Sequence, residues 1–180
     1  EYAFGITLRE IIEDFGGGTQ SGRPVRAVQV GGPLGAYFPD HLLDTPLDYE
    51  AMAANKGLVG HGGIVVFDDT VDMAAQARFA MEFCAEESCG KCTPCREGTY
   101  WMRQIMLRLE AGRGLPGDVE KLESIASNIA GRSFCALGDA SATPVLTGIK
   151  RFREEFEAGY TAAADELFPY AASSVFESAR

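Results

Sequence analysis

The chain has 180 residues, 46% apolar and 23% charged, enough to build a core, so a chain disordered by composition is excluded. Its formal net charge is −10, from 26 acidic and 16 basic residues, which argues against nucleic acid or an anionic membrane surface as main partner. No run of 18 apolar residues occurs, so direct membrane insertion is not expected.

The opening Glu1-Tyr2-Ala3-Phe4 has no Met and no basic stretch followed by an apolar one. The chain therefore reads as a piece of something longer, without a secretory signal, and a cytoplasmic setting is expected. Leu8, Ile11, Ile12 and Phe15 fall at i, i+3, i+4 and i+7, which predicts a short helix stopped by Gly16-Gly17-Gly18. Val25, Ala27, Val28 and Val30 predict a strand closed by the glycines of 31–35. Ile64-Val65-Val66-Phe67 predicts a buried strand ending at Asp68-Asp69. One helix among short strands predicts a small α+β domain over 1–70, with its first strand truncated.

From Thr70 the texture becomes helical. Met73, Ala77, Ala80, Met81 and Cys84 share one helix face. Tyr100, Trp101, Ile105, Met106, Leu107 and Leu109 mark a second helix, ended by Gly112 and Gly114, with Tyr100 and Trp101 read as core. A third helix starts near Pro116, carries Val119, Leu122, Ile125 and Ile129, and ends at Gly131. Asp139 or Ser141 is expected to cap a fourth, with Pro144 in its first turn, followed by Val145, Ile149, Phe152 and Phe156. Short links predict a four-helix bundle over 71–158. The Ala/Ser-rich stretch 159–180 reads as a tail.

The cysteines lie at 84, 89, 92, 95 and 135. An odd number excludes a complete internal disulfide framework. Cys89, Cys92 and Cys95 form C-x2-C-x2-C, and Cys135 follows after 39 intervening residues. Three thiolates this close can wrap one corner of a compact cofactor, and a remote fourth can close the site. A [4Fe–4S] cluster takes four thiolates, one on each iron. Zinc more often takes two separated C-x2-C pairs, so the three-plus-one spacing favours the cluster and leaves a zinc-stabilised interaction module as the alternative. Cys95 is expected at a helix N-terminus, where amide donors favour a thiolate. Lys91 and Arg96 are local cations that would offset cluster charge.

Other candidates read as structural. Cys84 is off the triad spacing and shares a face with Met and Ala, as a small buried side chain does. His41 and His61 have no partner at nucleophile or metal spacing. Gly31-Gly32-Pro33-Leu34-Gly35 and Gly60-His61-Gly62-Gly63 both miss the context of a dinucleotide loop.

The segment E-S-C-G-K-C-T-P-C-R-E-G at 87–98, followed by S-F-C-A-L-G-D at 133–139, resembles the NADH-binding flavoprotein subunits of respiratory complex I. The relatives of that family are the diaphorase subunits of NAD-linked hydrogenases and the β subunits of NAD-dependent formate dehydrogenases. T-L-R-E-I-I-E-D-F-G-G-G, R-A-V-Q-V-G-G-P-L-G and G-H-G-G-I-V-V-F-D-D resemble that family's soluble-ligand-binding β-grasp domain. The resemblance spans 1–158. It implies a β-grasp domain, then an iron–sulfur helical bundle whose [4Fe–4S] cluster is held by Cys89, Cys92, Cys95 and Cys135. It also implies that NADH reduces FMN in an N-terminal domain these residues do not include, so NADH oxidation is not expected of them alone. The cluster would take electrons singly from FMN. The implied partners are a thioredoxin-like [2Fe–2S] subunit and a larger iron–sulfur or molybdenum subunit. G-H-G-G-I-V-V-F-D-D and A-M-E-F-C-A-E-E-S-C lean towards the formate dehydrogenase branch, whereas F-C-A-L-G-D-A and C-R-E-G-T-Y-W look equally like complex I.

Overall fold

The computed structural model of the chain describes residues 1–159, so the predicted tail lies outside the described residues except for Gly159. The fold is α+β, a three-stranded antiparallel sheet with helices.

The chain opens on α1 (Leu8–Glu10), which runs directly into a π-helical stretch, Ile11–Phe15. Thr7 and Glu10 form a capping box: the Thr7 hydroxyl accepts the Glu10 N–H at 3.1 Å, and the Glu10 carboxylate accepts the Thr7 N–H at 2.9 Å. Leu8 and Ile12 are buried, but Phe15 turns outward, so the predicted apolar face is shorter than its spacing implies. The i→i+5 hydrogen bonding of the π stretch, Gly16 N–H to the Ile11 carbonyl at 2.9 Å, widens the turn and carries Phe15 off the line that Leu8 and Ile12 share.

Strands β1 (Val25–Val30), β2 (Ala36–Pro39) and β3 (Ile64–Asp68) pair in the order β2-β1-β3. The central β1 is covered on both faces, which is why it reads as an apolar run. Ala27, with Tyr37 and Phe67, faces the long helices, while Val28 and Val30, with Ala36 and Phe38, face Leu8, Ile12, Leu43 and Met52. β3 is an edge strand, and Val65 is 49% exposed, so the expectation of a fully buried strand fails there. Helix α2 (Tyr49–Ala54) is capped by Asp48, whose carboxylate accepts the Ala51 N–H at 2.6 Å.

Four helices follow: α3 (Met73–Glu87), α4 (Thr93–Glu110), α5 (Asp118–Ile129) and α6 (Ala136–Glu157). Met73, Ala77, Ala80, Met81 and Cys84 are all buried on one face of α3, as their spacing predicts. α3 packs on α4 and α6, and α5 packs on the same two. Tyr100 and Trp101 are about half exposed, which corrects their reading as core. The buried stripe of α4 runs instead through Cys95, Met102, Ile105, Met106 and Leu109. α6 starts about one turn earlier than predicted and carries Pro144 in its interior. Asp139 does not cap it: that carboxylate accepts the Ser133 N–H at 3.0 Å, and Cys135 occupies the cap position. The one non-helical residue in α6 is Phe152 (φ −140°, ψ 35°), where the helix kinks.

Sheet and helices share contacts. Tyr37 N–H donates to Thr147 Oγ1 at 3.2 Å, and the Arg151 guanidinium donates to the carbonyls of Tyr37 and Asn55. Arg26 of β1 pairs with Glu155 of α6, which also accepts the Met73 N–H at 2.6 Å and so caps α3 from outside. No helix among the described residues is long and apolar enough to cross a membrane.

Candidate metal centre

The loop between α3 and α4 carries Cys89, and Gly90 takes φ +73°, a left-handed turn that favours glycine. Cys92 is the N-cap of α4, Pro94 sits in its first turn, and Cys95 follows one residue later, so Cys95 lies at the helix N-terminus as expected. The second segment arrives from α5. Cys135 is the N-cap of α6, the position expected for Asp139 or Ser141. Two long helices thus start on ligand-type residues, and each start offers free N–H groups and partial positive charge.

The two segments meet. The backbone N–H groups of Phe134, the residue before Cys135, and of Cys95 favour the Cys92 thiolate and, Phe134 first, hold its thiol below its ordinary pKa against the opposing effect of burial. Cys95 behaves in the opposite way. Burial pushes its thiol up, and negative charge on Cys92, Cys135 or Cys89 would push it further, while a contact with Ser88 opposes. Cys89, Cys92, Cys95 and Cys135 therefore share one electrostatic neighbourhood, with Cys92 and Cys95 buried and Cys89 and Cys135 exposed. Cys84 is buried nearby, and burial, with a smaller effect of Cys95, pushes its thiol up to about 12.

Two hydroxyls line the buried thiols. Ser88 Oγ lies 3.3 Å from Cys95 Sγ. Ser133 Oγ is buried without a hydrogen-bond partner. Gly138 makes the room: a Cβ there would stand 2.3 Å from Ser133 Oγ and 3.1 Å from Cys95 Cβ. Thr99 anchors the helix behind, its hydroxyl donating to the Cys95 carbonyl at 2.7 Å.

Of the two predicted cations, Arg96 is tied to the loop, donating to the Gly90 carbonyl at 2.9 Å and to Glu97 at 2.8 Å, while Lys91 is exposed. His41 and His61 stand apart from the cysteines in the chain and are exposed, and His61 Nδ1 accepts the Gly63 N–H at 3.0 Å. Sequence reasoning missed Ser88, Ser133 and Gly138. A serine beside a cysteine carries no spacing signal, and Gly138 looks like any helix glycine.

The residues present fit a [4Fe–4S] cluster. The donors are soft thiols, a buried hydroxyl beside them lacks a partner, and ionising one thiol opposes ionising the others unless a cationic group binds them. No three His, Cys, Asp or Glu side chains among the described residues converge closely enough to hold a single metal ion.

Residues 75–159 match the family described as the NADH-ubiquinone oxidoreductase-F iron–sulfur binding region. These residues correspond to that family's iron–sulfur binding region, which implies a [4Fe–4S] cluster. It is similar to an NADH-quinone oxidoreductase subunit of Streptomyces coelicolor, 46% identical over 157 residues, covering 87% of this chain and 35% of that protein. It is also similar to the NADP-reducing hydrogenase subunit HndC of Solidesulfovibrio fructosivorans, 40% identical over 158 residues, covering 88% of this chain and 32% of that one. The crystal structure of an NAD+-reducing [NiFe]-hydrogenase in the H2-reduced state superposes with a TM-score of 0.75 at 31% identity, covering 89% of this chain and 27% of that one. The chain spans about a third of the length of the curated relatives it matches.

Proposed function

We propose that this chain is the iron–sulfur electron-transfer module of an NADH-dependent oxidoreductase subunit, and that Cys89, Cys92, Cys95 and Cys135 hold its [4Fe–4S] cluster. The observation that carries this reading is the close approach of the start of α6 to the C-x2-C-x2-C segment, where a Cβ added at Gly138 would stand 3.1 Å from Cys95 Cβ. When bound, the cluster supplies one-electron transfer between flavin and the next acceptor. The chain's own residues hold and shield it. The N-termini of α4 and α6 bring N–H groups towards thiolate charge, and Gly138 lets the two segments close together.

In this reading residues 1–70 form a β-grasp, soluble-ligand-binding domain and 71–158 a four-helix iron–sulfur bundle. FMN and NADH bind in an N-terminal domain of a longer parent subunit. The parent complex is of the quinone oxidoreductase, hydrogenase or formate dehydrogenase kind, and its setting is cytoplasmic. Its partner subunits are a thioredoxin-like [2Fe–2S] protein and a larger iron–sulfur or molybdenum protein.

Serine substitution at each of the four proposed ligands tests the set. Cys89→Ser, Cys92→Ser, Cys95→Ser and Cys135→Ser are each expected to lose or convert the four-iron cluster, while Cys84→Ala keeps it. Full iron and an unchanged spectrum in any of the four serine variants would remove that residue from the set.

A further inference from the structure

Two serines stand beside the buried thiols without being ligands. Ser88 follows the last residue of α3, and its Oγ lies 3.3 Å from Cys95 Sγ. The same oxygen accepts the Gly90 N–H at 3.4 Å. An amide N–H can only donate, so that contact uses a serine lone pair and leaves the hydroxyl proton for the sulfur. A ligating Cys95 carries no proton, so the serine must be the donor. Ser133 stands on the other segment. Its backbone N–H is fixed by Asp139 at 3.0 Å, and its buried hydroxyl has no hydrogen-bond partner, a thiol included. Ser88 alone therefore serves a buried thiol, where a hydrogen bond acts in lower dielectric than at the exposed Cys89 and Cys135.

Resting on the ligand set proposed above, we propose that Ser88 is a positioning residue whose hydroxyl donates to the Cys95 sulfur and raises the reduction potential of the cluster. Reduction places additional negative charge on the cluster and its sulfurs. A donor aimed at a sulfur stabilises the reduced form more than the oxidised one, and hydrogen bonds to sulfur are among the factors that set such potentials.

The test is a redox titration followed by EPR on the anaerobically purified chain, with iron and sulfide measured on each sample. Ser88→Ala is expected to keep its iron. At the potential where the wild type is half reduced, it should show about a tenfold lower reduced-to-oxidised ratio, ~59 mV for a one-electron couple. The isosteric pair Ser88→Thr and Ser88→Val separates the hydroxyl from the shape: threonine should titrate like wild type and valine about tenfold lower. Iron lost from valine but kept by threonine would also support the donor role. An unchanged potential in the loaded alanine variant, equal potentials in the isosteric pair, or iron lost from that pair alike would overturn it. A wild-type chain without iron would instead overturn the ligand set beneath it.

Discussion

Gly138 approaches Cys95 so closely that a Cβ on the glycine would stand 3.1 Å from Cys95 Cβ, although the two residues lie in the first turns of different helices. This approach closes the site across the chain. It places Cys135 beside the triad without any side chain between them having to bind anything. Gly138 sets how closely the start of α6 can approach α4.

Gly138→Ala is therefore expected to damage the site although alanine is the better helix former. Helix propensity alone favours the substitution by ~1 kcal/mol. The added Cβ would meet Ser133 Oγ at 2.3 Å and Ser133 Cβ at 2.5 Å, both held in place by the Asp139 bond. Sterics should win, and the variant should fold with its helices intact but take up less iron. Circular dichroism with iron analysis on the same sample checks this. Wild-type iron content would show that the loop moves aside freely.

Cys84 is expected to stay silent in thiol chemistry. Burial pushes its thiol up to about 12, so it remains protonated throughout the neutral range. Iodoacetamide on the folded, metal-free chain at neutral pH should alkylate the exposed Cys89 and Cys135 and spare Cys84 until denaturant is added. Mass spectrometry of the digest reads the pattern. Cys84→Ala should cost only ~1 kcal/mol, whereas Cys84→Ser should cost more because it buries a hydroxyl.

How much of this was legible without coordinates depends on the kind of signal. The α3 face from Met73 to Cys84 was fully readable, because a helix with one buried side writes its period into the sequence. β1 was readable because both its faces are covered. β2 and α2 were missed, since Ala36–Pro39 is short and ends in proline, and the apolar content of Tyr49–Ala54 is mostly alanine and methionine. Tyr100 and Trp101 misled because large aromatic side chains look like core, and half-exposed aromatics have no distinct sequence mark. Pro144 misled because proline favours a first turn, whereas here the helix absorbs one missing N–H in its interior. The candidate ligands were legible from spacing, but the hydroxyls around them were not, because Ser88 meets Cys95 only once the loop before α4 turns back, and Ser133 carries no spacing signal.

Asp118 is fully buried and accepts from Arg108 at 3.0 and 2.6 Å and from the Leu115 N–H at 2.8 Å. Asp118→Ala would leave that guanidinium and amide without their acceptor. Arg108 is about one-third exposed, so water recovers part of the loss. A destabilisation of about 2 kcal/mol is expected, lowering Tm by roughly 4–8 °C. A thermal melt checks it, and an unchanged Tm would contradict the assigned role of this pair.

Asp68 gives an acid signature. Hydrogen bonds from the hydroxyls of Ser21 and Thr70, both at 2.6 Å, and from the Thr70 N–H pull its carboxyl down to about 2. The folded value lies below the unfolded one of ~3.9. Its contribution to stability is thus present above that unfolded value and is lost as pH falls towards 2. Wild type should be more stable than Asp68→Asn at pH 6, and the difference should shrink to nothing near pH 2 in urea titrations. A difference that stays constant across that range would contradict the hydrogen-bonded carboxylate.

Metal content tests the central claim most directly. The chain should be purified without oxygen, analysed for iron, zinc and acid-labile sulfide, and then reduced with dithionite for EPR. About four irons and four sulfides per chain, with a paramagnetic signal on reduction, is the predicted result. One zinc with no sulfide would contradict it, and would make the same four cysteines a structural zinc site.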